Sequence, residues 1–143
     1  MTPSQLECLI ARTPDEREQV YRLRYACYRR DQSISERKDA QFSDRFDELP
    51  NSFSFLVRTR QQEPAATVRI SVVRKALGWH DTPVQHVYGD HSGLQEMAAE
   101  GFVEPAGCAS LNKRGGIPSS GWSDIWRLWR ASMRPDGWSH ARE

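Results

Sequence analysis

The chain has 143 residues and a net charge of +1, with 27% charged and 38% apolar residues. This length fits one domain with a core of its own, and the near-neutral charge gives no electrostatic case for a nucleic acid partner. No run approaches the roughly 18 apolar residues of a membrane-spanning helix, and the N-terminus lacks a signal-peptide pattern, so we expect a cytoplasmic protein without a transmembrane segment.

The cysteines and histidines give no sign of a disulfide framework or a metal site. The three cysteines lack a CxxC spacing and, without a secretion signal, are expected to be reduced thiols. His86 and His91 are five residues apart, which places them on different faces of a helix. We therefore expect no bound metal.

The N-terminal part predicts a strand followed by a helix. Residues 5–11 fit a strand with imperfect alternation. The segment from Thr13 to Glu16 is typical of a helix start, because it combines a capping threonine, a proline in the first turn and a glutamate three residues after the cap. Apolar residues then recur at helical spacing, which predicts a helix over residues 14–29.

The middle of the chain predicts a hairpin between two irregular segments. Residues 31–51 are polar and broken, which indicates a long loop with at most one short helix. The clean alternation in residues 52–58 and 65–74 predicts two paired strands. Residues 75–90 are irregular again, and residues 91–100 predict a short helix that ends at a glycine and leads into a further strand at about residue 102.

The predicted hairpin has one strongly apolar face. Because successive side chains of a strand point to opposite faces, six apolar side chains share one side of the hairpin. We expect that side to pack against helix 14–29. Its members are Phe53, Phe55, Val57, Val68, Ile70 and Val72.

Charged residues in and beside these elements each allow two interpretations. Arg24 lies beside the apolar stripe of the helix, where it either faces a site or extends over the surface. Asp44 and Asp47 form either a pair of carboxylates able to supply a base or a solvated turn. Arg69 stands in a strand between β-branched residues, so if its face is covered it needs a carboxylate, and Asp44 or Asp47 would serve.

The composition changes after residue 106. Residues 108–143 hold six basic and three acidic residues and four of the five tryptophans, with little usable periodicity. Such a segment is either a genuine extension or coding sequence read out of frame, and composition does not separate the two. We expect this tail, residues 107–143, to be atypical and poorly ordered.

Four blocks in order carry a resemblance to a known family: residues 20–30, 42–51, 66–70 and 102–106. Together they make residues 14–106 resemble the N-acyl amino acid synthases. That family is related to the acyl-homoserine-lactone autoinducer synthases and to the GCN5-related acetyltransferases.

The resemblance implies an α/β (α+β) fold of the GCN5-related acyltransferase type, with a mixed sheet and flanking helices. Residues 1–106 would be the N-terminal part of that domain. The implied reaction moves a long-chain acyl group from acyl carrier protein to the amino group of an amino acid. The donor is the acyl-phosphopantetheine of the carrier protein, and no cofactor is expected to be bound.

The same resemblance implies the site residues. Asp44, Asp47 and Glu104 would be the catalytic carboxylates, and Arg24 and Arg69 would bind substrate. An ammonium must lose a proton before its nitrogen attacks a thioester, so a carboxylate is a suitable base. The oxyanion that forms needs hydrogen-bond donors, often backbone N–H groups.

The sequence leaves other functions open. Relatives continue after the block 102–106 with further strands and a helix, whereas this chain departs from them there, so weak or absent activity is expected. The alternatives are a catalytically inactive fragment or binding module of the same fold, and a small RNA- or protein-binding module that uses the tail rich in arginine and tryptophan.

Overall fold

The computed structural model describes residues 6–110, except for the side chain of Cys108, and most of the tail expected to be atypical lies outside the described residues. The described part contains four strands and three α-helices. They are, in chain order, β1 (Leu6–Ile10), α1 (Pro14–Arg30), β2 (Ser52–Thr59), β3 (Pro64–Val73), α2 (Pro83–Tyr88), α3 (Ser92–Glu100) and β4 (Phe102–Ser110), with 3-10 helices at Arg45–Glu48 and Lys75–Leu77.

The four strands form one sheet in the order β1-β2-β3-β4, and every neighbouring pair is antiparallel. Over the described residues the sheet is therefore antiparallel throughout, whereas a mixed sheet was expected. The register between β3 and β4 shifts once: Thr67 faces Ala109 and Arg69 faces Ala106. Gly107 and Cys108 thus lie opposite the single residue Val68, which is a β-bulge.

Helix α1 begins where its sequence predicts. The Glu16 N–H donates to Thr13 Oγ1 at 3.2 Å, and the Glu16 carboxylate accepts from the Thr13 N–H at 3.0 Å. Hydrogen bonds from the backbone N–H groups of Thr13 and Arg12 lower the pKa of Glu16. This reciprocal capping satisfies donors that an uncapped helix start leaves open.

The face of the sheet that α1 covers differs from the expectation. Val20 of α1 packs on Leu56, and Leu23 and Cys27 pack near Ala109. Leu56 and Ala109 share their side of the sheet with Arg69 because of the strand register. We call this side the α1 face.

The hairpin's apolar residues form a separate cluster on the opposite side, so the prediction that they pack against α1 was wrong. The physical reason lies in α1 itself. Its buried stripe contains Arg24 as well as apolar residues, and a buried guanidinium needs hydrogen-bond partners. The apolar cluster instead packs with β1 side chains and with Trp79.

Two elements differ from their predicted bounds. β4 runs through residue 106 to Ser110, so the expected domain boundary at 106–107 falls inside a strand. α2 lies in a segment that was expected to be irregular; its six residues have no buried face, so it has no apolar period to detect. Among residues 6–110, no helix is long and apolar enough to cross a membrane.

Candidate active site

Two arginines and two aspartates meet on the α1 face. Arg24 Nη1 lies 2.7 Å from Asp47 Oδ1, and Arg69 Nη1 lies 3.1 Å from the same oxygen. Arg69 Nη1 also lies 2.6 Å from Asp44 Oδ1. Four charges that are distant in sequence thus form one network, which we call the Arg–Asp cluster, and the predicted pairing of Arg69 with Asp44 or Asp47 is confirmed for both.

Local structure places each member of the cluster. Asp44 caps the 3-10 helix Arg45–Glu48 by accepting from the Phe46 N–H at 2.9 Å. Asp47 completes this capping, because its Oδ2 accepts from the Asp44 N–H at 2.9 Å. Arg69 lies opposite Ser54 in the sheet, and Ser54 Oγ accepts from Arg24 Nη2 at 3.1 Å. The capped 3-10 helix therefore positions the two aspartates, and the pairing of β2 with β3 positions Arg69 and Ser54.

Burial sets the electrostatics of the cluster. The Arg24 and Asp47 side chains are 1% exposed and that of Arg69 is 3% exposed, while Asp44 remains 39% exposed. Burial alone would raise the pKa of Asp47, but the contacts with Arg24, the Asp44 N–H and Arg69 outweigh it and lower that pKa. Burial opposes the charge on Arg69, yet Asp44 and Asp47 raise its pKa. Asp47 and Arg69 therefore stay charged at neutral pH.

An aromatic ring covers one side of the cluster. The Arg69 guanidinium lies 5.7 Å from the Phe46 ring centroid, and the Arg45 guanidinium lies 4.1 Å from it. The His86 ring meets Phe46 edge-on at 6.2 Å, and Arg45 pairs with Asp81 at 3.0 Å. Phe46 therefore connects the cluster to α2.

Glu104 also lies on the α1 face, but its hydrogen bond is to α2. Its strand position opposite Ser71 puts it on the side of the sheet that carries Arg69. Its Oε2 accepts from the Val84 N–H of α2 at 3.1 Å. Within residues 6–110, no hydrogen bond or ion pair connects Glu104 to the Arg–Asp cluster, so four of the five predicted site residues are brought together and Glu104 is set beside them.

The structure adds two residues that sequence reasoning missed. Ser54 is the third partner of the buried arginines, and a serine in an alternating strand carries no signal of that role. Gly107 sits at the β4 bulge with φ +59°, and a Cβ there would lie 3.4 Å from Arg24 Cζ. A glycine inside an otherwise regular strand was the available signal.

A cavity of about 410 Å³ opens beside the cluster. Asp47 and Ser54 line it, together with Arg12, which precedes α1, and with Arg17 and Tyr21 of α1. It lies between the end of β1, the first turns of α1 and the segment that leads into β2. The cavity therefore places two further arginines next to the buried network.

Comparisons with known proteins agree with this architecture. The solved structure titled "The structure of FeeM, an N-acyl amino acid synthase from uncultured soil microbes" superposes with a TM-score of 0.63 at 16% identity, covering 90% of this chain and 65% of that one. At this identity the likeness shows a shared fold of the GCN5-related type. The chain thus spans just under two thirds of the length of that relative, and no curated protein matches it.

The sequence model described as "N-acyl amino acid synthase FeeM" matches residues 19–114, about two thirds of the chain. The match contains the whole Arg–Asp cluster, Glu104 and the β4 bulge. The chain therefore belongs to the FeeM family of N-acyl amino acid synthases, as its resemblance implied.

Proposed function

We propose that the chain is an N-acyltransferase that joins a long-chain acyl group to the amino group of an amino acid. The observation that carries the proposal is the family match, because it spans every residue of the Arg–Asp cluster and Glu104. The deep burial of opposed charges supports it, since such charges are costly to bury and are common at functional sites.

The reaction needs one base and one set of oxyanion donors. The amino acid's ammonium gives up a proton, its nitrogen attacks the thioester carbonyl carbon, and a tetrahedral oxyanion forms. The C–S bond then breaks, and the second proton of the attacking nitrogen leaves with the thiol sulfur, so that a neutral amide remains. A β-bulge disrupts the strand ladder locally, so we propose that the bulge at Gly107 supplies N–H donors to the oxyanion.

The three predicted carboxylates are not equally suited to be the base. Both oxygens of Asp47 accept hydrogen bonds, and its lowered pKa opposes protonation. Asp44 is paired with Arg69. Glu104 bonds the Val84 N–H through one oxygen and has no arginine partner within residues 6–110, which leaves its second oxygen to accept a proton. We therefore assign the base to Glu104 and a supporting role to Asp47.

The acyl donor and the cellular setting stay proposals that rest on the resemblance. The donor is acyl carrier protein, through its phosphopantetheine thioester. Arg24 and Arg69 were predicted to bind substrate. Because both are buried and paired, we propose that they hold the site together. A cytoplasmic location also remains a prediction.

Mass spectrometry of N-acyl amino acids tests the function. The 143-residue chain is incubated with acyl carrier protein loaded with a long-chain acyl group and with a mixture of amino acids. We expect slow formation of N-acyl products by the wild type, and a further loss of about 100-fold or more in rate for Glu104→Gln, the size typical of a lost general base. Glutamine keeps an acceptor for the Val84 N–H, so the fold is preserved.

The control is Glu96→Gln, the same change at an exposed position of α3, and it should leave the rate unchanged. A second arm replaces the carrier protein with acyl-coenzyme A, and equal rates would remove the carrier-protein assignment. Absence of product from the wild type would favour the inactive or binding-module alternative. An unchanged rate for Glu104→Gln would remove Glu104 as the base.

A further inference from the structure

The buried arginines are not available to hold a substrate carboxylate. Arg24 and Arg69 are 1% and 3% exposed, and both already contact Asp47. A ligand carboxylate would have to displace an aspartate from a desolvated pair, which is costly. An amino acid acceptor nevertheless needs a cationic partner, so its site should be sought where an exposed arginine lines a cavity.

The cavity beside the cluster meets that condition. Arg12 and Arg17 both line it, and a second opening that shares these two residues lies directly alongside. Arg12 has no ion pair within residues 6–110. Arg17 Nη1 lies 4.0 Å from Glu48 Oε2, and both side chains are largely exposed. Such a contact contributes little, so Arg17 is able to turn to a ligand.

The size and remaining walls of the cavity suit a single amino acid. Its volume of about 410 Å³ is at the small end of the range for small-molecule pockets. Its lining combines apolar residues with a second carboxylate besides that of Asp47. The apolar residues are Ile10, Leu49, Pro50 and Phe53, and the second carboxylate is that of Glu48, which lies 4.0 Å from Arg17.

Tyr21 adds a neutral hydrogen-bond donor. Burial raises the pKa of its phenol, and the nearby charges of Asp47 and Glu48 raise it further, so the hydroxyl stays protonated at neutral pH. In the part of the chain that the structure describes, no residue accepts from or donates to this hydroxyl. A ligand carboxylate would give it a partner.

We propose that this cavity is the acceptor site and binds the α-carboxylate of a free amino acid between Arg12 and Arg17. The side chain of the amino acid lies against the apolar residues of the lining. Glu48 and Asp47 disfavour an acidic side chain, so neutral amino acids are preferred. This site rests on the proposed function for its role in acyl transfer, while binding itself is measurable without any acyl donor.

Kinetics of the variants test the role in transfer. Arg12→Gln and Arg17→Gln should each raise the KM for L-leucine about 10-fold or more and leave kcat nearly unchanged, because a charged hydrogen bond to the carboxylate is lost. Arg22→Gln is the matched control: it lies on α1 and pairs with Glu18 but does not line the cavity. An unchanged KM in both cavity variants overturns the assignment.

Ligand binding tests the site independently of turnover. Saturation-transfer NMR of the 143-residue wild type should show binding of L-leucine, weaker binding of L-glutamate, and little binding of L-leucinamide, which lacks the carboxylate. The cavity variants should lose the preference for leucine over leucinamide, and Arg22→Gln should keep it. Equal binding of leucine and leucinamide by the wild type overturns the proposal. Carboxylate-dependent binding without N-acyl product would uphold the cavity and contradict the proposed transferase activity instead.

Discussion

At the scale of single residues, the Arg–Asp cluster contributes more to the relative placement of the elements it joins than to the stability of the fold. Buried ion pairs recover their desolvation cost only with excellent geometry and full hydrogen bonding. Here the Nε atoms of Arg24 and Arg69 are buried without a hydrogen-bond partner. The cluster joins α1, the 3-10 helix Arg45–Glu48 and β3, so what it fixes is the relative placement of those elements.

Removing one charge from the cluster should cost far more than removing an exposed one. Arg69→Ala removes one of the two arginines that contact the buried Asp47 carboxylate and leaves the cluster with a net negative charge. It should therefore lower the free energy of unfolding by about 3–5 kcal/mol. Arg45→Ala breaks the pair with Asp81, whose partners are 51% and 41% exposed, and should cost less than about 1 kcal/mol. Urea unfolding measures both.

A double-mutant cycle isolates the pairing itself. Arg69 combined in turn with Asp44→Ala and Asp47→Ala should show coupling to each aspartate, because Arg69 contacts both. Asp47 is the more buried partner, so its coupling should be larger. Zero coupling to both would show that the observed contacts do not stabilise the fold.

The lowered pKa of Asp47 predicts a specific pH dependence. A carboxylate whose folded pKa is below its unfolded value of about 3.9 stabilises the fold above that value, and the contribution is lost as pH falls through the folded pKa. The stability difference between wild type and Asp47→Asn should stay constant from pH 7 to about 5 and shrink below about pH 4. Chemical unfolding across this range measures it.

Asp90→Asn, at an exposed position of the loop before α3, serves as the control, because it makes the same chemical change without removing a buried contact. A difference between wild type and Asp47→Asn that stays constant down to pH 2 would contradict the lowered pKa of Asp47.

At the scale of elements, the β4 bulge depends on Gly107. Gly107→Ala puts a Cβ 3.4 Å from the Arg24 guanidinium and adds strain at φ +59°. Gly78→Ala is a matched control, since its φ is +70° and nothing lies within 4 Å of the added Cβ. Thermal unfolding should show a larger loss for Gly107→Ala than the roughly 1–2 kcal/mol of the strain alone. Equal losses would mean that contact with Arg24 is unimportant.

The bounds of elements with strong local signals were predicted well, whereas the packing between elements was predicted less well. The capping residues and apolar spacing of α1 gave its start at Pro14, and alternation gave β2 and β3 to within about one residue. The prediction of which sheet face α1 covers was wrong because each hairpin strand also carries buried side chains on its other face, such as Leu56 and Val73. α2 was missed because a six-residue helix is shorter than two turns.

At the scale of the whole molecule, the two sides of the sheet, over the described residues, differ in the side chains they carry. The α1 face carries the Arg–Asp cluster and Glu104. The opposite face is an apolar cluster of six buried residues. The cluster and the cavity beside it are formed by β1, α1, the 3-10 helix Arg45–Glu48, β2 and β3, all within residues that the structure describes.

The sequence by itself determined most of the elements and the family, and it named the four residues of the Arg–Asp cluster, because capping, alternation and the order of four blocks are local properties of the chain. It also predicted that Arg69 pairs with a carboxylate if its face of the sheet is covered. Only the tertiary structure decided which face α1 covers, that Asp47 serves two arginines, and that Glu104 joins α2 instead. Those outcomes depend on contacts between residues 22 to 25 positions apart in the cluster and 20 apart for Glu104. Such contacts form where burial and charge neutralisation are satisfied together, and no local pattern records that balance.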